Sequence, residues 1–150
     1  MSVLNRKNIF FQPSKYYLKT KGKTTKMAYL GRPNKKVTEW LKKALSPKLT
    51  NAQSPGLKPM TVSMSDDVFL DGKNLKGYKR IFVIHEEYAG EIEIPSDCIY
   101  YIESDNRISL SRPFWNTVFE YVNPGYMPTR PITFVVETNV GSASISPTIP

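Results

Sequence analysis

The segment from Tyr78 to Ile102, YKRIFVIHEEYAGEIEIPSDCIYYI, constrains the fold more strongly than any other part of the sequence. Its apolar run 81–84 consists of residue types that favour β-strands, and a continuous run of this kind predicts a central strand covered on both faces. Ala89-Gly90 predicts a chain reversal, because glycine can take up a positive φ without a Cβ clash. The polar and apolar alternation in 91–94 predicts a second strand, and 98–102 a third. This segment therefore predicts a β-sheet nucleus.

Shorter patterns on either side extend this nucleus into a domain. Strands are predicted at 60–64, 68–70, 107–110 and 132–138, and 114–122 is either a long strand or a short helix because its periodicity is ambiguous. A hydrophobic content of 40% in 150 residues is sufficient for one folded core. We therefore predict a mainly β fold (α+β at the margin) over residues 60–140, as an antiparallel sheet or a small sandwich or barrel.

The segments that flank this domain lack strand patterns. Residues 46–59 contain three prolines and one glycine, so they are predicted to form a linker. Residues 141–150, GSASISPTIP, are predicted to be a loose C-terminal tail.

One amphipathic helix is predicted at 34–45, NKKVTEWLKKAL. Its apolar residues recur at helical spacing and form one stripe, Asn34 is the expected N-cap, and Ser46-Pro47 ends the helix. Lysines occupy the other face, an arrangement typical of helices that lie on an acidic membrane surface or on a partner. The alternative is that Trp40 and Leu41 dock on the sheet.

Charge is distributed very unevenly along the chain. Residues 1–60 contain fourteen Lys and Arg and the single acid Glu39, a net charge of +13. Residues 61–150 contain seven basic and twelve acidic residues, a net charge of −5. This asymmetry predicts a basic arm, residues 1–33, joined to a mildly acidic folded body.

The arm combines lysines, which attract phosphate, with aromatic rings, which stack on bases or enter a lipid interface. We expect it to be extended, because prolines and glycines interrupt any helical pattern; a solvated tail and a mitochondrial transit peptide are the alternatives. The residues predicted to contact nucleic acid or membrane in the arm and helix are Arg6, Lys7, Phe10, Phe11, Lys15, Tyr16, Tyr17, Lys19, Lys21, Lys23, Lys26, Lys35, Lys36, Lys42 and Lys43.

Catalytic and metal-binding patterns are weak. His85 and Cys98 are the only residues of their kinds, and although they can be drawn as a nucleophile pair, both fall in predicted strands where a buried structural role is the ordinary outcome. One His and one Cys supply no ligand spacing, and the acids at Asp66, Asp67 and Asp71 lack the Ca²⁺-loop pattern. We expect no enzyme activity, no cofactor, no metal and no small-molecule substrate.

The sequence also suggests a compartment. A single cysteine excludes an intramolecular disulfide and fits a reducing environment. No apolar run approaches the length of a membrane span, and the N-terminus lacks a signal-peptide core. We therefore expect a protein of the cytoplasm or of a virion.

Two proline-containing tetrapeptides resemble a known short motif. Pro128-Thr129-Arg130-Pro131 and Pro147-Thr148-Ile149-Pro150 resemble the late-domain tetrapeptide P-T/S-A-P, with which budding viruses recruit cellular sorting machinery. Both depart from it at the third position, where alanine is expected. The resemblance covers eight residues.

These patterns favour a structural protein that acts by binding. The arm would contact nucleic acid or nucleoprotein and an acidic membrane surface, while the β domain forms a homo-oligomer, a layout like that of a small viral matrix or coat protein. The alternatives are a host RNA-binding or ribosome-associated module and an enzyme at Cys98 and His85. Aromatic rings in excess of what one strand can bury are predicted to mediate self-association: Trp115, Phe119, Tyr121 and Tyr126.

Overall fold

The computed structural model describes residues 35–101 and 105–150, and the chain divides into two compact units, Met1–Lys43 and Ala44–Pro150. Helix α1 spans Lys35–Leu45 and thus begins in the first unit. The predicted helix is confirmed, although its expected cap, Asn34, lies outside the described residues, as does the predicted arm. Trp40 and Leu41 belong to the first unit, and their docking on the sheet stays a prediction.

The second unit is built from two four-stranded antiparallel sheets that share one core. The strands are β1 (Lys48–Gln53), β2 (Val68–Lys73), β3 (Arg80–His85), β4 (Tyr88–Glu93), β5 (Ile99–Tyr101), β6 (Arg107–Leu110), β7 (Ile132–Glu137) and β8 (Ser142–Ile145). Sheet A has the strand order β1-β2-β6-β5, and sheet B has the order β4-β3-β7-β8. The mainly β, antiparallel prediction is therefore confirmed, and the described strands form no closed barrel.

The core forms where the inward faces of the two sheets meet. Leu70 and Ile108 of sheet A and Val83 and Phe134 of sheet B are completely buried. Burial of one large apolar side chain stabilises a fold by roughly 1.5–3 kcal/mol, so this shared cluster fixes both sheets. A second helix, α2 (Phe114–Phe119), adds Trp115 to the same cluster. The ambiguous segment 114–122 is thus resolved as a helix.

Strand β3 is central in sheet B, as predicted, between β4 and β7. It is not covered equally on both faces, because Ile84 on the outer face is 42% exposed while Ile81 and Val83 are fully buried. Phe82 also lies on the outer face but is only 5% exposed, since the Arg80 guanidinium lies over its ring. The continuous apolar run therefore predicted the position of the strand correctly and the burial of its outer face only in part.

The reversal after β3 occurs earlier than predicted. His85 pairs with Tyr88, so Glu86 and Glu87 form the turn. Gly90 lies inside β4 instead, and a Cβ added there would lie 2.9 Å from a Tyr88 ring carbon. The Tyr88 ring lies over the backbone at Gly90, so a larger residue would require the ring to shift; the chain does not turn at this position.

The predicted linker 46–59 contains strand β1, which pairs with β2 and buries Ala52 completely. The predicted strand at 60–64 is instead reduced to a single parallel bridge between Thr61 and Thr148. Ser54 organises the intervening loop: its hydroxyl accepts from the backbone N–H of Ser63 at 2.9 Å and donates to the carbonyl of Asp67 at 2.8 Å. Buried side-chain hydrogen bonds therefore replace the expected strand.

Two further segments differ from the prediction. Cys98 ends a short 3₁₀ turn, Ser96–Cys98, and the strand begins only at Ile99. The predicted loose tail, 141–150, contains β8 and the bridge through Thr148, and Pro147 is buried. The tail is ordered because its backbone pairs with β7 and with Thr61, although its side chains are small.

Candidate functional site

Helix α1 carries the part of the predicted polyanion contact that the structure describes. Lys36 and Lys43 are seven residues apart, which is close to two helical turns, so they lie on one face, and Lys35 and Lys42 form a second such pair. Lys36, Lys42 and Lys43 have exposed side chains. Glu39 lies at helical spacing from these lysines and offsets one of the four positive charges.

The predicted contacts of the arm lie outside the described residues. Their sequence nevertheless determines the charge of the first unit: residues 1–43 contain twelve Lys and Arg and one acid, a net charge of +11. Residues 44–150 contain nine basic and twelve acidic residues, a net charge of −3. The two units therefore carry net charges of opposite sign.

Of the four predicted self-association residues, Trp115 belongs to the core and Phe119 is partly buried against it. Trp115 is 2% exposed, and its Nε1–H donates to the carbonyl of Asp66 at 2.9 Å. Phe119 packs against the core and stacks on Trp115 with ring centroids 6.0 Å apart. The prediction that these rings lie at a surface is corrected, because residues four apart share one face of the α2 helix and that face packs against the core.

The other two predicted self-association residues are exposed. Tyr121 is 47% exposed and its ring lies 4.8 Å from that of Tyr88. Tyr126 is 45% exposed, and the Arg130 guanidinium lies 5.8 Å from its ring centroid. Arg130 also forms an ion pair with Glu86 at 3.2 Å. Tyr121 and Tyr126 are therefore the described residues through which the predicted self-association could act.

Cys98 is buried at the end of its 3₁₀ turn. Burial raises the pKa of its thiol above the ordinary value, and the charge of Asp97 and a hydrogen bond to it raise that pKa further. All three effects disfavour the thiolate, which is the nucleophilic form.

His85 is 2% exposed and lies in sheet B, whereas Cys98 precedes strand β5 of sheet A. The Nδ1 atom of His85 accepts a hydrogen bond from the backbone N–H of Glu87 at 3.0 Å. The Nε2 atom of His85 is buried without a hydrogen-bond partner among the described residues. His85 is therefore in contact with the backbone of Glu87. The Glu87 carboxylate instead accepts from the backbone N–H of Asn123 at 2.8 Å. This arrangement fixes the β3–β4 turn.

The three acids considered for a hard cation all make structural contacts. Asp67 accepts from the backbone N–H of Arg112 at 2.7 Å, and Asp71 forms a two-point ion pair with Arg107. Asp66 Oδ1 accepts from the backbone N–H of Asp67 at 3.3 Å. Within 35–101 and 105–150, no group of three or more His, Cys, Asp or Glu side chains could hold a metal ion.

Both proline-containing tetrapeptides line a single cleft of about 270 Å³. Pro128 and Thr129 belong to a 3₁₀ helix, Pro124–Thr129, and the Thr129 hydroxyl donates to the carbonyl of Tyr126 at 3.0 Å. Thr148 exchanges backbone hydrogen bonds with the segment around Thr61. The first tetrapeptide is thus partly helical and the second is held by backbone pairing, and the role of both stays a prediction.

The outer faces of the two sheets carry opposite charge, a feature that the sequence patterns did not predict. The inward positions of each strand are buried, so alternation assigns the residues between them to the outer face. In sheet A these include Lys48, Lys73, Arg107 and Asp71, a net charge of +2. In sheet B they include Arg80, Glu91, Glu93 and Glu137, a net charge of −2. The register of the strands brings these residues together, and register could not be predicted from local sequence patterns.

Neither a protein-family model nor a curated protein matches this chain. Among solved structures, the chain is similar to SGBP-B from a complex xyloglucan utilization locus in Bacteroides uniformis, with a TM-score of 0.44 and 12% identity. The match covers 69% of this chain and 23% of that protein, so this chain spans at most about a quarter of its length. Similarity at this level carries no conclusion about fold or function. Among the described helices, none is long and apolar enough to cross a bilayer.

Proposed function

We propose that this chain is a non-enzymatic structural protein that binds nucleic acid or nucleoprotein through its basic first unit while its β domain self-associates. The division of charge carries the proposal: a net +11 in residues 1–43 against −3 in residues 44–150. In this respect the chain is most like a small viral matrix or coat protein in layout.

The physical basis is counterion release. Each phosphate that a lysine neutralises releases a condensed cation, which makes the affinity high at low salt and strongly dependent on salt concentration. The exposed Lys36, Lys42 and Lys43 of α1 continue the basic character of the arm into a folded helix. The apolar stripe of the same helix would provide a second contact, with an acidic membrane surface.

The β domain contributes assembly in this proposal. Tyr121 and Tyr126 are large, exposed aromatic side chains close to one another in the sequence, and tyrosine is enriched at interface hot spots. The raised pKa and burial of Cys98 support a non-enzymatic role, since they disfavour the thiolate.

The test compares two triple variants of the full chain on single-stranded RNA and on phosphatidylserine vesicles over a salt series. One variant replaces Lys36, Lys42 and Lys43 by Gln. The control replaces three exposed lysines of the body, Lys58, Lys76 and Lys79, by Gln, an identical change in net charge.

We expect the helix variant to reduce the slope of log affinity against log salt by about 2 on RNA, and the control to leave it unchanged. Equal slopes for both variants and the wild type would contradict a role for α1. Loss of vesicle binding with RNA binding intact would make the membrane the main partner of the helix.

A further inference from the structure

Two aromatic rings lie in one row across the outer face of sheet A. Phe69 and Tyr100 both pair with Ser109, so they flank this small residue from the two neighbouring strands. Two strand spacings separate them, which is about 10 Å. Tyr100 is 53% exposed. Phe69 is half-buried. An exposed ring on an open antiparallel sheet is a platform on which an unpaired base can stack.

A fixed guanidinium lies over one of these rings, that of Phe69. Arg107 donates to both carboxylate oxygens of Asp71, at 2.5 and 3.1 Å, and its guanidinium carbon lies 4.9 Å from the Phe69 ring centroid. A planar guanidinium can also support a stacked base, and the ion pair holds this one in place without cost at the moment of binding.

The polar amides on the same face are already hydrogen-bonded. Asn51 Nδ2 donates to Gln53 Oε1 at 3.0 Å and to Asp71 Oδ2 at 3.3 Å, and Asn51 Oδ1 accepts from the backbone N–H of Met60. Gln53 Nε2 donates to the carbonyl of Leu57. These groups are therefore not free to read base edges, and recognition on this face would depend on stacking and charge with little sequence preference.

A pair of lysines provides an unbalanced positive charge at one end of the face. Lys48 and Lys73 are direct cross-strand partners, both exposed, and like charges in this position destabilise a sheet. No ion pair to either lysine is found within residues 35–101 and 105–150. A bound phosphate between them would relieve the repulsion. Lys73 lies four residues from Phe69 on the same strand, about 13 Å along it.

We propose that this face of sheet A is a second binding site, one for single-stranded nucleic acid, with bases stacked on Tyr100 and on the Arg107 guanidinium that lies over Phe69, and with phosphate held by Lys48 and Lys73. This proposal takes its class of ligand, nucleic acid, from the proposed function and rests on it in that respect. It places the site in the second unit, whereas the proposed function uses the first. The positive charge of this face, against the negative outer face of sheet B, favours a polyanion over a neutral ligand.

The test measures binding of fluorescently labelled oligo(dT) to the full chain. Replacing Tyr100 by Leu keeps an apolar side chain but removes the π-face, whereas Tyr100→Phe retains the ring. We expect Tyr100→Leu to weaken binding roughly tenfold and Tyr100→Phe to leave it within about twofold of the wild type. If oligo(dT) binds all three proteins with equal affinity, no base stacks on Tyr100 and the proposal is overturned; a loss of phosphatidylserine vesicle binding by Tyr100→Leu in that case would make lipid the ligand of this face.

The lysine pair gives an independent measurement. The double variant Lys48→Gln/Lys73→Gln should lower the salt slope on oligo(dT) by about 1.4, while Lys58→Gln/Lys79→Gln should leave it unchanged. Unchanged binding in both the Tyr100→Leu and lysine-pair variants would overturn this site. If the sheet A variants bind normally but the α1 variant loses affinity, the proposed function stands and the second site does not. If the α1 variant also binds normally, the proposed function and the second site are both contradicted.

Discussion

The guanidinium carbon of Arg80 lies 4.3 Å from the ring centroid of Phe82, on the outer face of sheet B. The same guanidinium donates to Glu91 and Glu137, each at 2.7 Å. One arginine therefore covers an aromatic ring of the central strand and links it to both neighbouring strands. This explains why Phe82 is only 5% exposed although it does not face the core.

The Arg80 contact predicts how stability depends on pH. Hydrogen bonding from Arg80 lowers the pKa of the Glu137 carboxyl from its ordinary value of 4.5. The pKa is lower in the folded state, so the stabilisation is present above 4.5 and is lost as pH falls through the folded value. The urea concentration at the unfolding midpoint should therefore decrease as the pH is lowered from about 6 to about 3 in the wild type. We expect this decrease to be smaller in the Glu137→Gln variant.

The matched substitution is Glu93→Gln on the same face. Glu93 has no ion pair within the described part of the chain. The prediction fails if the Glu137 and Glu93 variants show the same pH dependence of the urea midpoint as the wild type.

Strand β1 can be tested through the close approach of Gly72 to its partner strand. A Cβ at Gly72 would lie 1.7 Å from the carbonyl oxygen of Lys48, so an alanine there forces the backbone of β1 to move. We expect Gly72→Ala to destabilise the fold by about 1–3 kcal/mol, measured by urea unfolding. Gly141→Ala is the control, because its Cβ would lie 3.7 Å from Ser46 Oγ. Equal stability of the two variants would show that β1 is not part of the folded body.

Periodicity in the sequence was sufficient to predict the elements that bury a regular apolar face. Strands β3, β6 and β7 bury such a face and were predicted close to their observed bounds; helix α1, whose apolar residues are exposed, was predicted from their helical spacing. Strand β1 was not, because Ala52 is its only fully buried side chain and the segment around it contains prolines. Its place in sheet A depends on pairing with β2, which is a long-range property.

The candidate sites show the same distinction. The lysines of α1 lie on one face because helical spacing is local, and the sequence alone placed them together. Phe69 and Tyr100 are brought to either side of Ser109 only by the register of three strands. Similarly, Trp115 was predicted to lie at a surface because the segment around it could be a strand. The segment is helix α2, which places Trp115 in the core.

Cys98 is expected to react slowly with alkylating reagents in the folded protein. Burial is the largest cause of its raised pKa, followed by the charge of Asp97. Iodoacetamide at neutral pH, followed by intact-mass measurement, should label the folded chain far more slowly than the chain in urea. Asp97→Asn should increase the folded rate only modestly, since burial remains. Rapid labelling of the folded wild type would contradict a structural role and revive the enzyme hypothesis.

Self-association is expected to depend on the two exposed tyrosines that follow helix α2. Tyr121 and Tyr126 are each nearly half exposed, whereas Trp115 is buried in its own core and contributes no surface. Replacing both tyrosines by serine removes aromatic area from the surface without opening the core. Sedimentation of the full chain should therefore show a smaller assembly for the double variant than for the wild type.

Ile84→Ser, which also removes an exposed apolar side chain but on sheet B, should leave the assembly intact. A wild-type chain that remains monomeric at high concentration would remove self-association from the proposed function, because no assembly would then exist for these tyrosines to mediate.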